Sequence, residues 1–168
     1  MKHNFVIEKD GKEYWISRSI AILAIVLCEI KGQTYVLVNR RGIGTPDYQG
    51  YWNLPCGYLD YNETCKEAIE REVWEECGVH LDTDKIKFYG YNDDLTDPRQ
   101  NVTLRFITTL DVRVNKISIA SGINNRGGEP DEVEAISWIP LNNYQSVKWA
   151  FNHEVILKKL NHEISNKQ

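Results

Sequence analysis

Apolar and polar positions along the chain alternate in a way that predicts strands first and helices later. Phe5 to Ile7 and Tyr14 to Ile16 flank Lys9-Asp10-Gly11-Lys12, and Asp-Gly is the favoured pair of a tight two-residue turn, so a β-hairpin is expected here. Ser19 to Cys28 is a short continuous run rich in Ile, Ala and Val, the pattern of a strand buried on both faces. Lys31-Gly32 marks a turn, and Thr34 to Asn39 reads as the next strand. Gly42 to Gly50, with Pro46 and Asp47, reads as a loop long enough to carry function. Further on, Lys85 to Tyr91 predicts a strand and Asn92 to Arg99 a polar loop. Asn101 to Val114 predicts a long strand in which Val102, Leu104, Phe106, Thr108 and Leu110 alternate. Asn115 to Glu129 is rich in glycine and asparagine and reads as a loop. Ala135 to Ile139 predicts a strand closed by Pro140. From Asn143 to Ile164, the residues Ala150, His153, Leu157, Leu160 and Ile164 recur at helical spacing, which predicts one amphipathic helix with His153 as a packed residue.

The other helical stretch is chemically distinctive. Thr64 followed by Glu67 forms a capping-box pattern, and Gly78 stands where a left-handed C-terminal cap belongs. Ile69, Val73 and Cys77 make an apolar stripe, with Glu72, Glu75 and Glu76 in an arc beside it. Ala68, one turn before Glu72, is expected to leave room for a ligand. Three like charges on one face repel, and a hard divalent cation such as Mg²⁺, which prefers oxygen ligands, is the natural compensation. Arg71 precedes Glu75 by four residues and can brace it.

Composition narrows the setting. The chain has 168 residues, is 42% hydrophobic and 26% charged, and suits a single soluble domain over residues 1–168 with residues 1–18 as a hairpin extension. A net charge of −4 offers no electrostatic case for nucleic acid. Ile20 to Cys28, the longest apolar run, is too short to span a bilayer, and the N-terminus has no signal-peptide pattern. Cys28, Cys56, Cys65 and Cys77 include no C-x-x-C pair, and Cys28 and Cys77 read as small buried hydrophobes. The expected setting is a reduced cytoplasm.

The acidic helix belongs to a longer pattern: Gly57, five residues, Glu63, seven residues, Arg71-Glu72, apolar Val73, then Glu75-Glu76, Gly78 and apolar Val79. This resembles the complete signature of the Nudix hydrolase family. The resemblance implies an α/β (α+β) Nudix fold, a mixed sheet sandwiched between helices. It implies Mg²⁺ (or Mn²⁺) held by Glu72, Glu75, Glu76 and the Gly57 carbonyl, with Arg71 and Glu63 as supports. Glu75 and Glu76 are the catalytic candidates within the box. The family draws its general base from a box glutamate or from an acidic residue of a later loop, which points to Glu132, with Glu129 as runner-up. An arginine at the end of the strand before the loop commonly faces substrate in the family. Arg40 matches best, and Arg41 follows it. Cys56 stands where many members have glycine, beside Gly57.

Substrate is less determined. Thr96-Asp97-Pro98-Arg99 and Trp149-Ala150-Phe151-Asn152-His153 resemble segments of the ADP-ribose pyrophosphatase-like branch. Arg99 is a candidate for a phosphate or a terminal ribose. Tyr48, Tyr51 or Trp52 are candidates for stacking on a base, with core packing as the other use of Trp52. Three readings stand: hydrolysis of a nucleoside diphosphate linked to another group, ADP-ribose or a sugar nucleotide; pyrophosphohydrolysis of nucleoside triphosphates; and a nucleotide sensor without turnover. The third fits least, because every box carboxylate is kept and no room is left for a second domain. The partner implied is a small nucleotide, and a homodimer joined through the hairpin is compatible with the family.

Overall fold

The computed structural model describes residues 4–97, 99–111 and 131–166. The chain opens with a hairpin of β1 (Phe5–Lys9) and β2 (Lys12–Ile16), turned by Asp10 and Gly11, both at positive φ. It forms its own two-stranded sheet, and every residue in it is exposed.

The main sheet has seven strands, arranged around β3 (Ile20–Ile30) and β4 (Gln33–Arg41). These two pair only near their shared turn, from Leu27↔Val36 to Ile30↔Gln33. Beyond that they part, and a short return fills the wedge: β5 (Trp52–Asn53) pairs with β4, and β6 (Cys56–Tyr58) pairs with β3. The Ala24 amide donates to the Pro55 carbonyl at 2.8 Å and stitches the return in place. On the far side β3 runs parallel to β8 (Val102–Leu110), which carries β7 (Lys87–Asn92) at the edge. β9 (Val133–Pro140) covers the outer edge of β4. One parallel pair among antiparallel ones makes the sheet mixed.

β3 is buried on both faces because it separates two cores. Ile22, Ala24, Val26 and Cys28 meet α1 (Cys65–Cys77) together with Phe106 and Trp138. Leu23, Ile25 and Leu27 meet α2 (His153–Ser165) through Ile156, Leu157 and Leu160. The result is the expected helix–sheet–helix sandwich.

The helix expected from Asn143 to Ile164 is interrupted. A 3-10 turn covers Leu141–Ser146, and α2 begins only at His153. Between them Trp149 bridges to Trp52, with Trp52 N–H donating to Lys148 O at 2.9 Å and Ala150 N–H to Trp52 O at 2.8 Å. Pairing with the sheet outcompetes helical periodicity there, and Ala150 is buried by it rather than by a helix face. The strand expected from Asn101 runs Val102–Leu110, and residues 112–114 lie outside the described residues, as do the expected loop 115–129 with Glu129, and Pro98.

Candidate active site

The carboxylates stand on α1 because both ends of that helix are specified locally. Thr64 Oγ1 accepts from Glu67 N–H at 3.3 Å, and Glu67 Oε2 accepts from Thr64 N–H at 2.7 Å. Gly78 closes the helix at φ 65°, its N–H on Trp74 O at 2.8 Å. Ile69 and Val73 are fully buried on the sheet. Each buried aliphatic side chain contributes about 1.5–3 kcal/mol, against a few tenths for each like-charge pair at helical spacing, so packing outweighs repulsion along the arc. Ala68 departs from expectation: it is fully buried in the same core, so the space it leaves is taken by protein and not by a ligand.

Arg71 gathers the acids. Its Nε donates to Glu63 Oε2 at 3.0 Å and its Nη2 to Glu63 Oε1 at 2.8 Å, a bidentate pair. Nη1 reaches Glu72 Oε1 at 2.8 Å and Glu75 Oε2 at 3.1 Å, and Nη2 also reaches the Tyr58 carbonyl at 3.1 Å. One guanidinium thus ties α1 to β6 and to the segment before the helix. Gly57, in β6, lies directly under Glu72, and a Cβ there would overlap that carboxylate. A side chain at 57 would therefore push the Glu72 carboxylate from its place on Arg71.

Glu76 is the most enclosed acid, only 8% exposed. Its Oε2 accepts from Asn39 Nδ2 at 2.7 Å and from Cys56 N–H at 3.1 Å. Burial first, then the Glu72 charge, hold its pKa well above the usual carboxylate range, against the pull of those two hydrogen bonds; Glu132 adds a smaller upward push. Burial also raises Glu72, opposed by Arg71 and reinforced by Glu75 and Glu132. Glu132, from the start of the β9 segment, therefore lies within electrostatic reach of both.

This donor set suits a hard divalent cation. It is all oxygen, it crowds negative charge, and two of its members carry raised pKa values that a cation would bring down. Among the described residues no three acidic, His or Cys side chains are already gathered as a cage, since Glu72 and Glu75 turn onto Arg71 and Glu76 onto Asn39 and Cys56.

The arginines lie along the same end of β4. Arg40 pairs with Glu134 at 2.5 Å, its guanidinium 5.9 Å from the Trp52 ring. Arg41 pairs with Asp47 Oδ1 at 3.0 Å, and Arg99 pairs with the other oxygen of the same carboxylate. Trp52 is half-buried against the α2-side core, the packing use foreseen for it. Sequence reasoning missed Asn39, the Cys56 amide and Asp47. A signal existed for Asn39: Tyr35, Leu37 and Asn39 share the α1-facing side of β4, and an amide at a core position needs a polar partner. Nothing in the pattern marked the Cys56 amide, because any residue but proline supplies one.

Known proteins resemble the chain in sequence and in fold. The NUDIX domain family model matches residues 18–160, leaving the hairpin before it. The ADP-ribose pyrophosphatase of Methanocaldococcus jannaschii is 29% identical over 154 residues, 90% of this chain and 79% of that protein. A MutT-like protein of Streptomyces ambofaciens is 43% identical over 90 residues, 54% of this chain and 48% of that protein. The NUDIX domain of Shewanella oneidensis NrtR, solved with ADP ribose, superposes with a TM-score of 0.67 at 18% identity, covering 89% of this chain and 90% of that one, a likeness of fold. Matched along most of its length by the family model and with the box carboxylates in place, the chain belongs to the NUDIX domain family.

Proposed function

We propose that the chain hydrolyses the pyrophosphate linkage of a nucleoside diphosphate joined to another group, with ADP-ribose or a sugar nucleotide as substrate. The observation that carries the reading is the convergence of Glu63, Glu72 and Glu75 on Arg71, with buried Glu76 beside them. The archaeal ADP-ribose pyrophosphatase, similar along nearly the whole chain, supports the substrate class.

Glu72, Glu75, Glu76 and the Gly57 carbonyl would hold the cation, Mg²⁺ in the first place and Mn²⁺ as the alternative. Bound there, it would neutralise phosphate oxygens and lower the pKa of water. The remaining work falls to side chains. Arg71 keeps the carboxylates in register, and the Asn39 and Cys56 donors, both on Oε2, leave Glu76 Oε1 for the ligand side. Glu132 is the base assigned to take the proton of the attacking water, within reach of the box charges. Arg40, Arg41 and Arg99 supply cationic contacts for the substrate's phosphates.

A second reading, pyrophosphohydrolysis of nucleoside triphosphates, draws on the MutT-like relative. A panel with Mg²⁺ and direct product detection separates them: ADP-ribose, sugar nucleotides, dinucleoside polyphosphates and nucleoside triphosphates. Turnover of ADP-ribose or a sugar nucleotide, abolished by chelator, is expected. Turnover confined to triphosphates would replace the first reading by the second, and binding without any cleavage would make the chain a sensor. The setting we assign is cytoplasmic, in keeping with four unpaired cysteines among the described residues. No described helix is long and apolar enough to cross a membrane.

A further inference from the structure

Two bulky residues on separate loops hold backbone conformations that side chains rarely adopt: Tyr48 at φ 51° and Phe151 at φ 53°. Such strain persists only where the surroundings over-determine it, and it concentrates at binding sites. Their rings meet at 4.8 Å with a 58° tilt, and Tyr51 sets its ring edgewise to Tyr48 at 5.7 Å.

Charge is arranged around this pair. The guanidinium carbons of Arg41 and Arg99 lie 5.1 and 5.8 Å from the Phe151 ring centre. Both arginines share the Asp47 carboxylate, one on each oxygen, so two cations face one anion. Arg41 is fixed, with 13% of its side chain exposed and its Nε on the Asp47 carbonyl at 2.9 Å. Arg99 is 45% exposed, and an ion pair that accessible is weak enough to exchange. Tyr48 keeps 44% of its surface exposed despite these ring contacts. The loop that bears it is anchored by backbone hydrogen bonds: Gly42 N–H donates to Glu132 O at 2.8 Å, Gly44 N–H to Asp131 O at 3.0 Å, and Gly50 N–H to Arg41 O at 2.8 Å. The same contacts tie the loop to Glu132, and Arg41 stands two residues beyond Asn39, the partner of Glu76.

We propose that Tyr48, backed by Phe151, and Arg99 form the subsite for the nucleoside phosphate half of the substrate. The face of the base stacks on Tyr48, and a phosphate oxygen replaces Asp47 on Arg99. Every base offers a π-face to an aromatic platform, and a guanidinium fork matches phosphate oxygens. The proposal rests on the nucleotide hydrolase reading above.

Binding of AMP and of ribose 5-phosphate, each measured calorimetrically with Mg²⁺, tests it without need of turnover. Tyr48→Leu is expected to weaken AMP by about tenfold and leave ribose 5-phosphate unchanged, while Tyr48→Phe keeps AMP affinity. Arg99→Gln is expected to weaken both ligands. Tyr48→Gly, freed from its φ, should lose AMP affinity as Tyr48→Leu does while keeping Tm close to wild type. AMP affinity unchanged in Tyr48→Leu and Arg99→Gln, in an enzyme that still turns over nucleotides, would overturn the subsite and leave the function standing. A wild-type protein that neither binds AMP nor cleaves any nucleotide would overturn both.

Discussion

Glu76 joins two properties rarely found together in one carboxylate: near-complete burial and neighbouring like charge, Glu72 foremost. Its folded pKa lies above the unfolded one, so without metal its contribution is fully present at low pH and is lost as pH rises through the raised value. Glu76→Gln keeps an acceptor for Asn39 and removes the charge. Turnover is expected to fall at least about a hundredfold, while the metal-free Tm at pH 8 stays level or rises. A clear drop in metal-free Tm would make the charge structural. Asn39 acts at one remove. Asn39→Leu preserves the bulk but frees Glu76 Oε2 from its 2.7 Å donor, and Mn²⁺ affinity followed by titration is expected to weaken by about tenfold or more. Unchanged metal affinity would mean that the Cys56 amide alone orients Glu76.

At the scale of elements, the start of α2 shows how a helix terminus is placed from outside. Asn152 gives no side-chain cap, yet His153, 4% exposed, accepts the Leu54 amide on Nδ1 at 3.0 Å and pins the helix to the return that fills the β3–β4 wedge. Accepting that bond requires a neutral ring. Burial first, then the charges of Arg105 and Arg41, push its pKa down to about 3. The unfolded value is near 6.5, so the unfolded chain binds the extra proton as pH falls. The contribution of His153 is therefore present above about pH 6.5 and is lost as pH falls toward 3, with a slope approaching about 1.4 kcal/mol per pH unit in between. Urea midpoints at pH 7 and pH 5 should fall more in wild type than in His153→Gln, and equal falls would show that the ring is not held neutral. By contrast α1 is specified within its own sequence, by the Thr64–Glu67 box and Gly78, which is why its limits were legible and those of α2 were not.

For the whole molecule, the hairpin raises the question of assembly. Two strands alone are marginal in water, and here Phe5, Ile7, Tyr14 and Ile16 share one exposed face while Val6 and Trp15 share the other. A second copy that covers these residues would supply the missing burial. Light scattering at micromolar concentration is expected to give a dimer, and Trp15→Glu, at a position 75% exposed in the single chain, to shift it toward monomer. A wild-type monomer across that range would remove the hairpin from assembly. The sequence by itself determined whatever depends on neighbours along the chain: the Asp10-Gly11 turn, the two-faced burial of β3, the caps of α1, and the acidic arc with Arg71 four residues before Glu75. Periodicity and capping are local physics, so they can be read from spacing. Tertiary structure decided what depends on distant partners: that Trp52 draws residues 148–150 out of a helix, that Ala68 faces core, that Asn39 and the Cys56 amide hold Glu76, and that Asp47 joins Arg41 to Arg99. Those contacts arise where β3 and β4 part and the return enters between them, and strand divergence leaves no trace in the alternation of either strand.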